Sequence, residues 1–158
     1  MYSPHIVILE ARNHLKLADL LYQSSAQALE VKGLAFSRVT IPTVLELPTA
    51  LRIIIEGTKG DGENHSADWR KPDGYIVLGS FIKSDMPHNQ VAYGEVLRAL
   101  QDLSYYYALP VGFGMVVAEN SESAFNYAEI GRTAAQTCLA LIELKSQFGL
   151  PPSAILAP

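Results

Sequence analysis

His88 is the residue whose type and place most directly suggest chemistry. It closes the stretch Gly79-Ser80-Phe81-Ile82-Lys83-Ser84-Asp85-Met86-Pro87-His88, which follows the apolar run Tyr75-Ile76-Val77-Leu78. Imidazole titrates near neutral pH, so a histidine in a polar loop beyond a buried strand can shuttle protons. The residues alone leave two roles open for it: proton transfer, or capping and solvation where a helix begins. Glu46 comes next, flanked by Leu45 and Leu47 in an otherwise apolar turn. A carboxylate in that setting needs a hydrogen-bonding partner, and a ligand hydroxyl is one candidate. His5 and His14 read as structural or solvated. Tyr105-Tyr106-Tyr107 can stack on a base, but a helix end or a subunit contact suits the three tyrosines better. Asp61 and His65 lack the spacing and the third ligand of a metal site, so a solvated loop is expected there and no metal.

The elements that must position these residues follow from periodicity. Residues 5–11 are a β-branched apolar run and read as a buried strand. Residues 17–33 carry helical spacing and end on glycine, and 34–41 read as a second strand. Residues 48–55 form a helix with proline in its first turn, and 73–79 a third strand. Helices are predicted over 89–103 and 124–148, the latter with Gly131 as a possible kink, and a fourth strand over 110–118. Two glycines in that strand mark close approach of a neighbouring group. The hydrophilic segment 56–72 reads as an exposed loop, with Trp69 its lone large apolar residue, and 150–158 as a tail. Strands alternating with helices predict a single α/β domain, with a four-stranded, mainly parallel sheet covered on both faces. Its carboxyl edge should gather the loops around Asn13-His14, 43–47, 80–88 and 117–120, which is where such sheets bind ligands.

Composition bounds the function. The 158 residues carry 12 basic and 16 acidic side chains, a net charge of −4. That lacks the basic footprint of a nucleic-acid binder, so no nucleic-acid partner is expected. A single cysteine, Cys138 in an apolar helical run, excludes an internal disulfide and suits a reducing cytoplasm. The run 5–9 is too short for a signal-peptide core, and no apolar run approaches the ~18 residues of a membrane span, so no membrane partner is expected. No glycine fingerprint of a dinucleotide fold, P-loop or nucleophile elbow is present.

Four pieces in register carry a resemblance to a family. Ala11-Arg12 resembles the family's A-R-F-N, and Ile41-Pro42-Thr43-Val44-Leu45-Glu46-Leu47-Pro48 its V-P-G-A-F-E-I-P. The stretch 79–88 resembles G-x-V-I-R-G-x-T-x-H, and Leu109-Pro110-Val111-Gly112-Phe113-Gly114 resembles V-P-V-x-F-G. The chain is similar in these pieces to 6,7-dimethyl-8-ribityllumazine synthases over about residues 5–150, with 58–71 resembling an insertion. The resemblance implies a three-layer, flavodoxin-like α/β fold. It implies a transferase that condenses 5-amino-6-(ribitylamino)uracil with 3,4-dihydroxy-2-butanone 4-phosphate, without a cofactor, in riboflavin biosynthesis. His88 would move protons. Glu46 would hold the ribityl chain, Val44 and Leu45 would offer backbone contacts, and Ser80, Phe81 and Ile82 would line the pyrimidine pocket. Phe113 would come from a neighbouring copy in a homopentamer or larger shell.

The chain also departs from the family's pattern. Asn13 replaces the aromatic that stacks on the pyrimidine. Ser84, Asp85 and Met86 replace the phosphate loop, Tyr127 aligns near the family's phosphate-binding arginine, and Arg132 is the only basic residue between Arg98 and Lys145. An enzyme with an altered phosphate site and a non-catalytic flavin- or lumazine-binding assembly both fit this pattern. An unrelated flavodoxin-like binding domain is a third reading.

Overall fold

In a computed structural model that describes residues 3–59, 70–151 and 153, four strands form one parallel sheet in the order β2-β1-β3-β4. The chain runs β1 (His5–Ala11), α1 (Leu15–Glu30), β2 (Ala35–Ile41), a 3-10 turn (Val44–Glu46), α2 (Leu47–Gly57) and β3 (Gly74–Ile82). It continues through α3 (Asn89–Tyr107), β4 (Val111–Ala118), a short α4 (Ser121–Ala124), a second 3-10 turn (Phe125–Tyr127) and α5 (Ile130–Gln147). Asp61, His65 and Trp69, most of the 58–71 loop, and most of the tail lie outside the described residues. Among the described residues no helix is long and apolar enough to cross a membrane.

The central strands β1 and β3 are buried along their whole length, as near-continuous apolar runs in a parallel sheet must be. Their alternation divides the core in two. Val7, Leu9, Tyr75, Val77 and Phe81 pack with α2 and α3, while Ile6, Ile8, Ile76, Leu78 and Ile82 pack with α1 and α5. Cys138 is the buried small hydrophobe expected of it, and burial pushes its thiol up to about 12.

Several predicted boundaries move, α1 among them, which ends at Glu30 rather than Gly33. β3 runs three residues beyond Gly79, because Ser80, Phe81 and Ile82 pair with Val116, Val117 and Ala118 of β4. Phe81 is fully buried and stands edge-on to Tyr93 of α3, with ring centroids 5.4 Å apart. The α3 helix extends through the three tyrosines because Tyr107 is buried and donates to Glu56 Oε1 at 3.1 Å. The long C-terminal helix is interrupted before Gly131 rather than kinked at it. Asn120 caps α4 by accepting from Ser123 N at 2.8 Å, and Ser24 Oγ of α1 donates to the Ala128 carbonyl at 2.9 Å. Gly131 then lets α5 cross α1 closely; a Cβ there would stand 2.3 Å from the Leu21 carbonyl oxygen.

The close approach expected at the β4 glycines is found at Gly112, where a Cβ would lie 1.8 Å from the Ala134 carbonyl oxygen of α5. Neither strand nor helix backbone can yield that space cheaply. Gly112→Ala should therefore cost about 3 kcal/mol in urea denaturation. Gly94→Ala on α3, where a Cβ meets nothing within 4 Å, should instead stabilise by roughly 0.5–1 kcal/mol.

Candidate functional site

Three of the four loops expected at the carboxyl edge enclose one cleft. Asn13, His14 and Leu15 leave β1, Thr43 and Val44 leave β2, and Ser80, Ile82, Asp85 and Met86 end β3 and begin its turn. Together they bound a volume of about 550 Å³, within the range of small-molecule sites. Asn13 Nδ2 donates to the Ser80 carbonyl at 3.2 Å, tying the first wall to the third. His14 caps α1, its Nδ1 accepting from Leu17 N at 3.3 Å, and its ring stands edge-on to Phe125 at 5.6 Å. The fourth loop buttresses the turn from behind. Lys83 N donates to the Ala118 carbonyl at 2.9 Å, and Ser84 N to that of Glu119 at 3.1 Å.

The Ile82 carbonyl holds the turn by accepting from both Asp85 N (3.1 Å) and Met86 N (2.9 Å). Past it, His88 is the N-terminal cap residue of α3 and is exposed. Its carbonyl accepts from Ala92 N at 3.0 Å, and its ring is not in the cleft wall. Sequence reasoning passed over the neighbouring Asn89. Its buried amide donates to the Phe81 carbonyl at 3.0 Å and to the Ala118 carbonyl at 3.3 Å, bridging the ends of β3 and β4. The signal was available: a polar residue at the first position of an amphipathic helix, beside the histidine. Thr43 was passed over too; it lines the cleft, and its hydroxyl donates to Glu46 Oε2.

The other candidates divide. Val44 is buried in the cleft wall, whereas Leu45 is half exposed and Glu46 exposed, both outside the lining. The Phe81 side chain points to the opposite core, leaving only its backbone near the site. Phe113 pairs with Val77 in mid-strand and packs toward α2 and α3, away from this chain's own cleft. Tyr127 is exposed in the second 3-10 turn. Arg132 lies between α1 and α5, donating to Glu129 Oε2 at 3.0 Å and to Gln27 Oε1 at 2.9 Å, and it borders a separate groove with Lys32.

Among the described residues, Asp85 is the only formally charged side chain in the cleft lining. The cations behind the first wall are engaged. Glu10 is fully buried on β1, and its Oε1 accepts from Arg12 Nη1 at 2.5 Å and from Arg38 Nη2 at 2.6 Å. Arg12 also holds Asp19 of α1 at 2.8 Å, and Arg38 lies 3.8 Å over the Tyr22 ring. One carboxylate thus joins β1, β2 and α1 directly beneath the wall made by Asn13–Leu15. Among the described residues no group of three His, Cys, Asp or Glu side chains gathers to hold a metal.

A second depression, of about 530 Å³, runs between α2 and α3. Ile53, Leu103 and Tyr106 supply its apolar wall, and Arg52, Glu56, Arg98 and Asp102 its charges.

A sequence profile of 6,7-dimethyl-8-ribityllumazine synthases matches residues 3–146. The chain belongs to that family. It is 34% identical over 154 residues to the 6,7-dimethyl-8-ribityllumazine synthase of Agrobacterium fabrum, covering 94% of this chain and 99% of that one. Enzyme 1 of that name from Mesorhizobium japonicum is 34% identical, across 92% of this chain and 87% of its own length. The one from Rhizobium meliloti is 33% identical, across 92% and 94%. The four-stranded parallel sheet and its two helical layers are consistent with this family.

Removing one partner of a buried charge leaves the others uncompensated. Glu10→Gln should therefore lower unfolding stability by about 2 kcal/mol. The double variant Glu10→Gln/Arg38→Gln should lose less than the sum of the single losses, as a double-mutant cycle by urea titration will read.

Proposed function

We propose that this chain condenses 5-amino-6-(ribitylamino)uracil with 3,4-dihydroxy-2-butanone 4-phosphate to form 6,7-dimethyl-8-ribityllumazine, a cytoplasmic step of riboflavin biosynthesis. The observation that carries this reading is the cleft. Its walls come from the same segments that match the family's substrate-binding motifs, and His88 stands at the end of the third one. In the reaction the uracil's primary amine attacks the ketone and a first water leaves as the imine forms, phosphate is eliminated, and the ring closes with loss of a second water. No electron changes hands, so proton transfer and the alignment of two reactants suffice.

In this proposal His88 is the proton carrier. Glu46 receives ribityl hydroxyls, Val44 and Leu45 offer backbone groups, and Ser80 with the backbones of Phe81 and Ile82 faces the pyrimidine. Asn13 takes the place of a stacking ring with an amide already bonded to Ser80. Asp85 and Met86 border the phosphate side, and Tyr127 and Arg132 follow them in the family's register. His88 and Glu46 lie outside the cleft's lining, and Phe113 faces α2 and α3. A site shared between copies reconciles these placements. A homopentamer, or a larger shell of pentamers, formed across the α2–α3 groove is therefore part of the proposal.

Following lumazine absorbance after mixing both substrates with the protein tests it. Turnover above the uncatalysed rate is expected, and His88→Ala should reduce kcat about a hundredfold while leaving the melting curve unchanged. A second reading rests on Asp85, a carboxylate in the cleft wall where a phosphate ester would bind. Absence of turnover together with tight riboflavin binding would establish a non-catalytic lumazine- or flavin-binding assembly instead.

A further inference from the structure

We infer that Asn89 is a positioning residue of this site: its side-chain amide fixes His88 relative to the strand backbone assigned to the pyrimidine. That those two groups serve a condensation rests on the function proposed above.

His88 has few attachments of its own. It is exposed, its ring makes no capping hydrogen bond to α3, and it is not in the cleft wall. Pro87 before it has no N–H with which to tie the chain down. The imidazole therefore keeps a defined place only if the backbone at 88 does. That backbone is set by the start of α3. The His88 carbonyl accepts from Ala92 N at 3.0 Å, and Asn89 N donates to the Met86 carbonyl at 2.9 Å.

Asn89 carries this attachment into the sheet. It is 4% exposed, and its Nδ2 donates to the Phe81 carbonyl at 3.0 Å and to the Ala118 carbonyl at 3.3 Å. The Ala118 carbonyl also accepts from Lys83 N. The end of β3, the end of β4 and the first residue of α3 thus meet at one side-chain nitrogen. Two carbonyls converging on one atom need two N–H donors on a short, uncharged stem. Asparagine supplies them; a carboxylate or a hydroxyl does not, and glutamine carries its amide one carbon–carbon bond farther out.

The carbonyl that Asn89 takes on β3 matters for the chemistry. Phe81 lies between Ser80 and Ile82, both in the cleft wall. One amide therefore spans from the strand that faces the ligand to the residue next to the histidine. Proton transfer between a ligand on that strand and the imidazole depends on their separation, and a displacement of about 1 Å costs up to about a hundredfold in rate. Asn89 sets that separation directly, across the turn of residues 83–87 rather than through it.

The test pairs rates with spectroscopy on the full chain. In the lumazine assay, below the melting temperature of every variant, Asn89→Gln and Asn89→Ala should lower kcat about tenfold and change KM for the ribitylaminouracil less than about twofold. His88→Ala/Asn89→Gln should be no slower than His88→Ala, because Asn89 acts only through the ring. Losses that multiply in the double variant overturn the inference, as does an unchanged kcat. Carbon–proton NMR of the histidine rings needs no turnover. Asn89→Gln should displace the His88 ring signals while those of His5 and His14 stay in place, and His88 signals that do not move overturn the inference. Displaced His88 signals in a protein that turns over nothing uphold the placement by Asn89 and remove the condensation. Unfolding of both Asn89 variants overturns the inference too, by making the bridge a requirement of the fold alone.

Discussion

The architecture around the cleft depends on one buried carboxylate. Glu10 sits on the most protected strand of the sheet and is reached by guanidinium groups from its own strand exit and from the neighbouring strand. A charge in that position is tolerable only when it is bonded, and its bonds dictate where Arg12 and Arg38 lie. Arg12 in turn meets Asp19, which places the first two turns of α1. The wall that carries Asn13, His14 and Leu15 is the outer surface of this cluster. Buried ion pairs contribute little net stability compared with apolar packing, but they admit few alternative arrangements. Here that selectivity is applied to a strand end that must present a loop and a helix start at a fixed height.

The opposite half of the core is organised by the absence of side chains. Gly112 and Gly131 let α5 lie against β4 and across α1 at distances that no larger residue permits. Close packing of three backbones leaves α5 little freedom to slide, so the segment before it has to absorb the geometry. The interruption between α4 and α5, held by Ser24 on the Ala128 carbonyl, is where that happens.

Most of the fold was legible because its signals are strong and local. Buried parallel strands are uninterrupted apolar runs, and His5–Ala11 could hardly be read otherwise. The misjudged boundaries share a cause. Ser80-Phe81-Ile82 looks like the start of a polar loop until β4 is known to pair with it, and pairing is a property of another part of the chain. Gly131 signalled a special backbone, but whether that meant a bend or a contact depended on Leu21, more than a hundred residues earlier. The site was legible as a set of loops and illegible as a set of charges. Asp85 and Ser80 can be read as cleft residues from their position after a strand. That Arg12 is consumed by Glu10 follows only from side chains meeting across elements.

The turn between β3 and α3 is fastened through its backbone rather than through hydrogen bonds of its side chains. Ile82 secures its entry through two backbone bonds, and Asn89 secures its exit through two carbonyls of the sheet. The side chains of Ser84 and Asp85 bear none of that attachment, and Met86 adds only packing against the core. The segment therefore behaves as an interchangeable cassette. Side-chain exchanges at Ser84 and Asp85 leave the backbone bonds that hold the histidine after it and the strand before it in place. A lineage can exchange the recognition carried by these three residues while inheriting the scaffold intact, and divergence of ligand preference along this chain has a defined physical location.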